Sequence, residues 1–92
     1  MIVDKTRNGV SIHYDSDIAD IYDMKYRGLS YTVVLSQMSA LYTNMFTNSV
    51  QKISIKDGLM YMNGRKMNKE FQIAYQMYTD EILERELLSE EV

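Results

Sequence analysis

Alternation of apolar and polar side chains opens the chain. Val10, Ile12 and Tyr14 alternate with Ser11, His13 and Asp15, the period of a strand with one buried face. Residues 2–6 read as its partner strand, and Arg7-Asn8-Gly9 as the turn between them. A β-hairpin results, with His13 on its polar side. Beyond it the period changes. Ile18, Ile21 and Tyr22 stand at i, i+3 and i+4, Asp15 and Ser16 are good N-caps, and Gly28 is placed to terminate. That spacing predicts a short helix over about 17–27. Asp17 and Asp20 at its start and Lys25 and Arg27 at its end suit the helix dipole.

Residues 28–51 carry no charged side chain, although a quarter of the protein is charged. Within them Tyr31, Val34, Leu35, Met38, Leu41, Tyr42, Met45 and Phe46 recur at helical spacing, filling an arc of about 140°. Ser30 stands as an N-cap. The other side holds Val33, Ser36, Ala40, Thr43 and Thr47, all small and uncharged. The expectation is a long central helix with no fully solvated face. Its small-residue seam is covered either by its own domain or by a second subunit or partner. Ser36, Gln37, Ser39, Thr43, Asn44 and Thr47 make the run too polar to span a membrane, which takes about 20 apolar residues.

Asp57-Gly58 and Asn63-Gly64 are two type I′ turn dipeptides. They set Ile55 opposite Met60, Ile53 opposite Met62, and Met60 opposite Met67, all on one face. A three-stranded antiparallel meander over about 51–67 follows. Asn68 then caps a C-terminal helix whose stripe is Phe71, Ala74, Tyr75, Tyr78 and Ile82, with Ile73, Met77, Leu87 and Leu88 on the flank. So wide an arc implies burial on two sides or a break near Thr79-Asp80. The last few residues read as a frayed end. The expected architecture is one α+β domain over 1–92: N-terminal β-hairpin, short helix, long uncharged central helix, three-stranded antiparallel meander and C-terminal helix, the two longer helices packing on the sheet.

Composition narrows the chemistry. With 46% hydrophobic and 25% charged residues the chain is of the soluble globular type. Eight Met and eight Tyr beside two Phe and no Trp give an adaptable core edged with phenols. No cysteine is present, which removes disulfides, thiolate metal sites and a Cys nucleophile. Met1 is followed by Asp4, Lys5 and Arg7 with no apolar stretch, so no signal peptide is expected and the cytoplasm is the expected compartment. The net charge of −3 is unevenly spread. Lys52, Lys56, Arg65, Lys66 and Lys69 face Asp57 alone, whereas six carboxylates between 80 and 91 face Arg85 alone. A basic middle and an acidic end can attract each other within or between chains.

Three constellations could carry chemistry. Lys52, Lys56, Tyr61, Arg65 and Lys66 on the meander form a candidate nucleic-acid contact, phosphates on cations and a base on the ring. The same lysines also protect a short exposed sheet from edge pairing. Asp15, Asp17, Asp20 and Asp23 beside His13 drift around the predicted helix and do not converge on a cation, so no metal site is expected. The acidic tail, with Leu83 and Leu87 interleaved, could fill a partner's groove or imitate phosphates on a basic surface, or keep the protein in solution. With one histidine and no phosphate-cradling glycine motif, no catalytic site and no cofactor are expected.

The sequence therefore points to a small non-enzymatic protein-binding module, homo-oligomeric with a dimer favoured. Its expected interface is Val33, Ser36, Ala40, Thr43, Thr47, Leu83 and Leu87. Nucleic-acid binding through the basic meander is the alternative. Size, acidity, the missing Cys, Pro and Trp, and abundant Ile, Lys, Asn, Tyr and Met lean toward a phage or mobile-element protein, an inhibitor or adaptor acting in the host cytoplasm.

Overall fold

The computed structural model describes residues 1–18, 20–35 and 40–90, with backbone alone for 85–90. Among them, eight strands form one antiparallel sheet in which every strand pairs with its sequence neighbour, followed by one helix. The strands are β1 (Ile2–Arg7), β2 (Val10–Asp15), β3 (Ile21–Tyr26), β4 (Leu29–Leu35), β5 (Ala40–Asn44), β6 (Val50–Lys56), β7 (Leu59–Met62) and β8 (Arg65–Lys66). The helix α1 runs over Lys69–Glu90.

The expected arrangement of hairpin, short helix and long central helix is overturned. Both middle helices are absent: 21–26 is β3, and the uncharged stretch is the β4–β5 pair with the start of β6. Two physical reasons stand out. Tyr31, Thr32, Val33, Val34, Tyr42 and Thr43 are β-branched or aromatic, types that fit a pleated surface better than a helix. Tyr31, Val33 and Leu35 also satisfy a period of two, and over a short apolar run the two periods overlap. The second reason is Arg27-Gly28. Arg27 has φ 48° and Gly28 φ 80°, so these two residues turn β3 tightly into β4, pairing Tyr26 with Leu29. A helix stop was the wrong reading of that glycine. Positive φ at both positions defines the same I′ turn found at Asn8-Gly9, Asp57-Gly58 and Asn63-Gly64.

The register sorts side chains into two faces. Inward rows run Ile12–Met24–Tyr31 and Tyr22–Val33–Tyr42, and Ala40 pairs with Ile53. In the last three strands Ile55 lies opposite Met60. On its other side β6 pairs with β5, setting Ile53 opposite Ala40, while Ser54 opposite Tyr61 keeps the register in which Ile53 is expected beside Met62. Tyr22, Ile12, Met24, Met60, Val10 and Val33 are fully buried, each stabilising the fold by about 1.5–3 kcal/mol on removal from water.

The helix closes this face with Phe71, Ala74, Met77 and Tyr78, all buried. Tyr78 meets Tyr14 edge-on at 4.9 Å and Tyr22 at 4.7 Å. Its hydroxyl accepts the Asp20 N–H at 3.1 Å. Gln72 reaches the sheet edge like an added strand. Its amide oxygen accepts the Met60 N–H at 2.8 Å, and its amide nitrogen donates to the Met60 and Met67 carbonyls at 2.8 and 3.3 Å. Lys5 and Arg7, on the inward side of β1, pair with Glu81 at 3.5 Å and Asp80 at 3.7 Å. Among the described residues, the ion pairs of α1's carboxylates thus go to β1 and not to the basic middle.

Candidate functional site

With α1 packed on the inner face, the outer face of the sheet has no covering element among the described residues. Alternation along each strand decides what it carries. One outer row runs Asp4–His13–Asp23–Thr32–Thr43–Val50 across β1 to β6, and the next carries Ile21–Val34–Leu41–Lys52. Charge divides along these rows. Over β1–β3 lie Asp4, Asp15 and Asp23 together with Lys25, with Asp17 in the turn after β2 and the Met1 ammonium on Asp15 and Asp17; over β6–β8 lie Lys52, Lys56 and Lys66. Between the flanks, β4 and β5 present Ser30, Thr32, Val34, Leu41 and Thr43, none of them charged. Exposed apolar side chains border this strip: Ile21, Met45, Phe46 and Val50 are 39–67% exposed. Phe46 sits at the tip between β5 and β6, in a turn held by Asn44, whose Oδ1 accepts the Phe46 and Thr47 N–H groups at 2.9 and 3.2 Å.

The acidic flank has its own order. His13 Nδ1 lies 2.6 Å from Asp4 Oδ1, and Thr32 Oγ1 donates to Asp23 Oδ1 at 2.6 Å. The hydroxyl therefore points to a carboxylate and not to the imidazole, so the hydroxyl–base contact of a nucleophilic site is not formed. Asp15 accepts the Asp17 backbone N–H at 2.9 Å and lies 3.1 Å from the Met1 ammonium. Those two contacts, the N–H first, hold its carboxyl below the ordinary value. Among the described residues no three His, Asp or Glu side chains are grouped to hold a metal ion.

The residues singled out from the sequence do not form one surface. Val33 and Ala40 point inward and are buried, so the fold itself covers them. Thr43 is half-buried on the outer face, and Thr47 is exposed in the turn after β5, bonded to Ser49 at 2.9 Å. Leu83 is 57% exposed on α1, beside a groove lined by Leu35, Ile55 and Tyr75 on the other side of the sheet. Ser36 and Met38, and the side chain of Leu87, lie outside the described residues. Of the nucleic-acid set, Lys52, Lys56 and Tyr61 share the outer face with Lys66, whereas Arg65 pairs with inward-facing Met62. All four cations of that set lack an ion-pair partner among the described residues. Sequence reasoning missed Ile21, Thr32, Val34 and Leu41 as outer-face residues. A period-two reading of 21–26, 29–35 and 40–44 would have found them.

Among the described residues no helix is long and apolar enough to cross a membrane. No protein-family model, no curated protein and no solved structure matches the chain.

Proposed function

We propose that this chain is a non-enzymatic protein-binding module that acts in the cytoplasm by occupying a protein surface, as an inhibitor or adaptor of phage type, and that it works as a homodimer. One observation supports this most: an uncharged strip, β4–β5, lies on the outer face, uncovered by any described element, between a flank bearing three aspartates and a lysine and a flank of lysines alone. A solvated strand face ordinarily carries charged residues, which also guard against unwanted association. An uncharged central patch with apolar side chains at its borders is the composition of a contact surface.

The charge division also suggests a geometry. A two-fold axis through Val34 and Leu41 sets the Asp23 flank of one copy against the Lys52 flank of the other, twice. An isologous interface requires this self-complementarity, and opposed flanks fix its register.

Sedimentation over a range of concentrations tests the dimer. The expected result is a dimer that Val34→Lys dissociates. Asp23→Lys and Lys52→Glu should each weaken it by about tenfold, and the two together should restore it. A monomer at every concentration overturns the dimer. The wider reading is tested by capture from lysate: partners held by the wild type and lost on Val34→Lys support it, and partners retained by that variant overturn it.

A further inference from the structure

The helix leaves the inner face open at its own N-terminal end. A cleft of about 690 Å³ lies there, walled by Tyr31 and Tyr42 of β4 and β5, by Phe71 of α1, and by Asn63, Arg65 and Lys66 of the β7–β8 hairpin. Its volume falls in the range of small-molecule sites, about 300–1,000 Å³. The three rings touch one another, with centroids 4.9 Å apart for Tyr31–Phe71, 5.3 Å for Tyr42–Phe71 and 5.7 Å for Tyr31–Tyr42. Phe71 is buried beneath them, while both tyrosines stay partly exposed.

The charge around this cleft is positive. Arg65 and Lys66 have no ion-pair partner among the described residues. Lys69 begins α1, where the helix dipole is already positive and a cation is unfavourable. The acid of this turn is Glu70, close enough to Tyr31 to add to burial and Tyr42 in raising that phenol's pKa. Lys69 does not line the cleft, and Lys66 pairs with outward Tyr61, so Arg65, opposite inward Met62, is the cation on the cleft's own face.

We propose that this cleft binds a nucleotide, with the base against the rings of Tyr31 and Tyr42 and the phosphate on Arg65, the β8 cation on the inward side. The pairing of features selects the ligand. An aliphatic acid leaves the rings unused, and a neutral aromatic leaves the cation unpaired. A nucleobase stacks on either ring without regard to sequence, and its phosphate meets the Arg65 guanidinium. The nucleotide can be free or part of a single strand. These residues lie away from the outer β4–β5 strip, so the site stands or falls separately from the dimer.

Calorimetric titration of the full chain tests it, with adenosine monophosphate, adenosine, inorganic phosphate and a deoxyadenosine pentamer as probes. The expected result is saturable binding of the monophosphate that shifts the Tyr31 and Tyr42 ring resonances. Adenosine and phosphate should each bind at least about tenfold more weakly. Arg65→Ala should weaken binding by about tenfold or more, and raised salt should weaken it too. The control pair Lys52→Ala with Lys56→Ala should leave it unchanged, and melting curves check that each exposed variant stays folded. A pentamer tighter than the monophosphate assigns the site to single strands, and equal affinities assign it to free nucleotides. Absence of saturation by both at millimolar concentration, phosphate binding as tightly as the monophosphate, or equal loss in the control pair overturns the proposal.

Discussion

Tyr22 and Tyr78 stack at 4.7 Å in the centre of the core, yet their hydroxyls have different roles. The contact made by the Tyr22 hydroxyl is to Met60 Sδ at 4.0 Å, and burial pushes its phenol pKa strongly upward. The Tyr78 hydroxyl holds the backbone N–H of Asp20, a residue at φ 66° in the turn entering β3. Tyr78→Phe should therefore cost about 1 kcal/mol in urea unfolding and Tyr22→Phe less. Tyr22→Ala, which opens a cavity, should cost about 3–5 kcal/mol. At Asp15 the sign of the pH effect is fixed by the depressed pKa. Its contribution is present above the unfolded value of 3.8 and is lost as pH falls through the lower folded value. The Asp15 carboxyl carbon should titrate below 3.8 by NMR, and Asp17 N–H exchange should quicken over the same pH interval.

The last helix is tied to the sheet by unlike contacts at its two ends. Near its start, Gln72 completes the hydrogen bonding of Met60 in both directions. Leucine there has similar bulk but no polar atoms, so Gln72→Leu leaves a backbone N–H without its acceptor. A loss of about 1–3 kcal/mol is expected in chemical denaturation, against well under 1 kcal/mol for the exposed Gln76→Leu. Further along, Lys5–Glu81 and Arg7–Asp80 join β1 to α1 across a partly solvated gap. Lys5 is about half exposed, so Lys5→Ala should cost no more than about 1 kcal/mol and the difference should shrink in high salt.

The meander and the helix are stable only as a pair. Tyr22, Met24, Val33 and Met60 line one side of a sheet whose cover is α1 alone among the described residues, and an uncovered apolar sheet face does not stand in water. A chain ending after Asn68 should lose its cooperative thermal transition and bind a hydrophobic dye, while one ending after Glu84 should keep the transition, since it retains Phe71, Ala74, Met77 and Tyr78, the buried side chains of α1 among the described residues. The same division of labour leaves the outer face free for partners and the N-terminal end of α1 free for a ligand.

Much of the outline was legible in order of strength of local chemistry. Asn-Gly and Asp-Gly turns, strict alternation over 10–15 and the cap at Asn68 carry their conformation within a few residues, so sequence alone places the first hairpin, the β6–β8 turns and α1. The stretch 28–51 was legible only as uncharged. Its helical and strand periods overlap, and Arg27-Gly28 takes the same turn as Asn-Gly without the Asn that announces it. Pairing β4 between β3 and β5 settles the matter, because a strand gains its partners' hydrogen bonds only once they are in place. The contact strip and the cleft belong to that second kind of information. Each joins side chains from several strands, and tertiary register alone decides which of them meet.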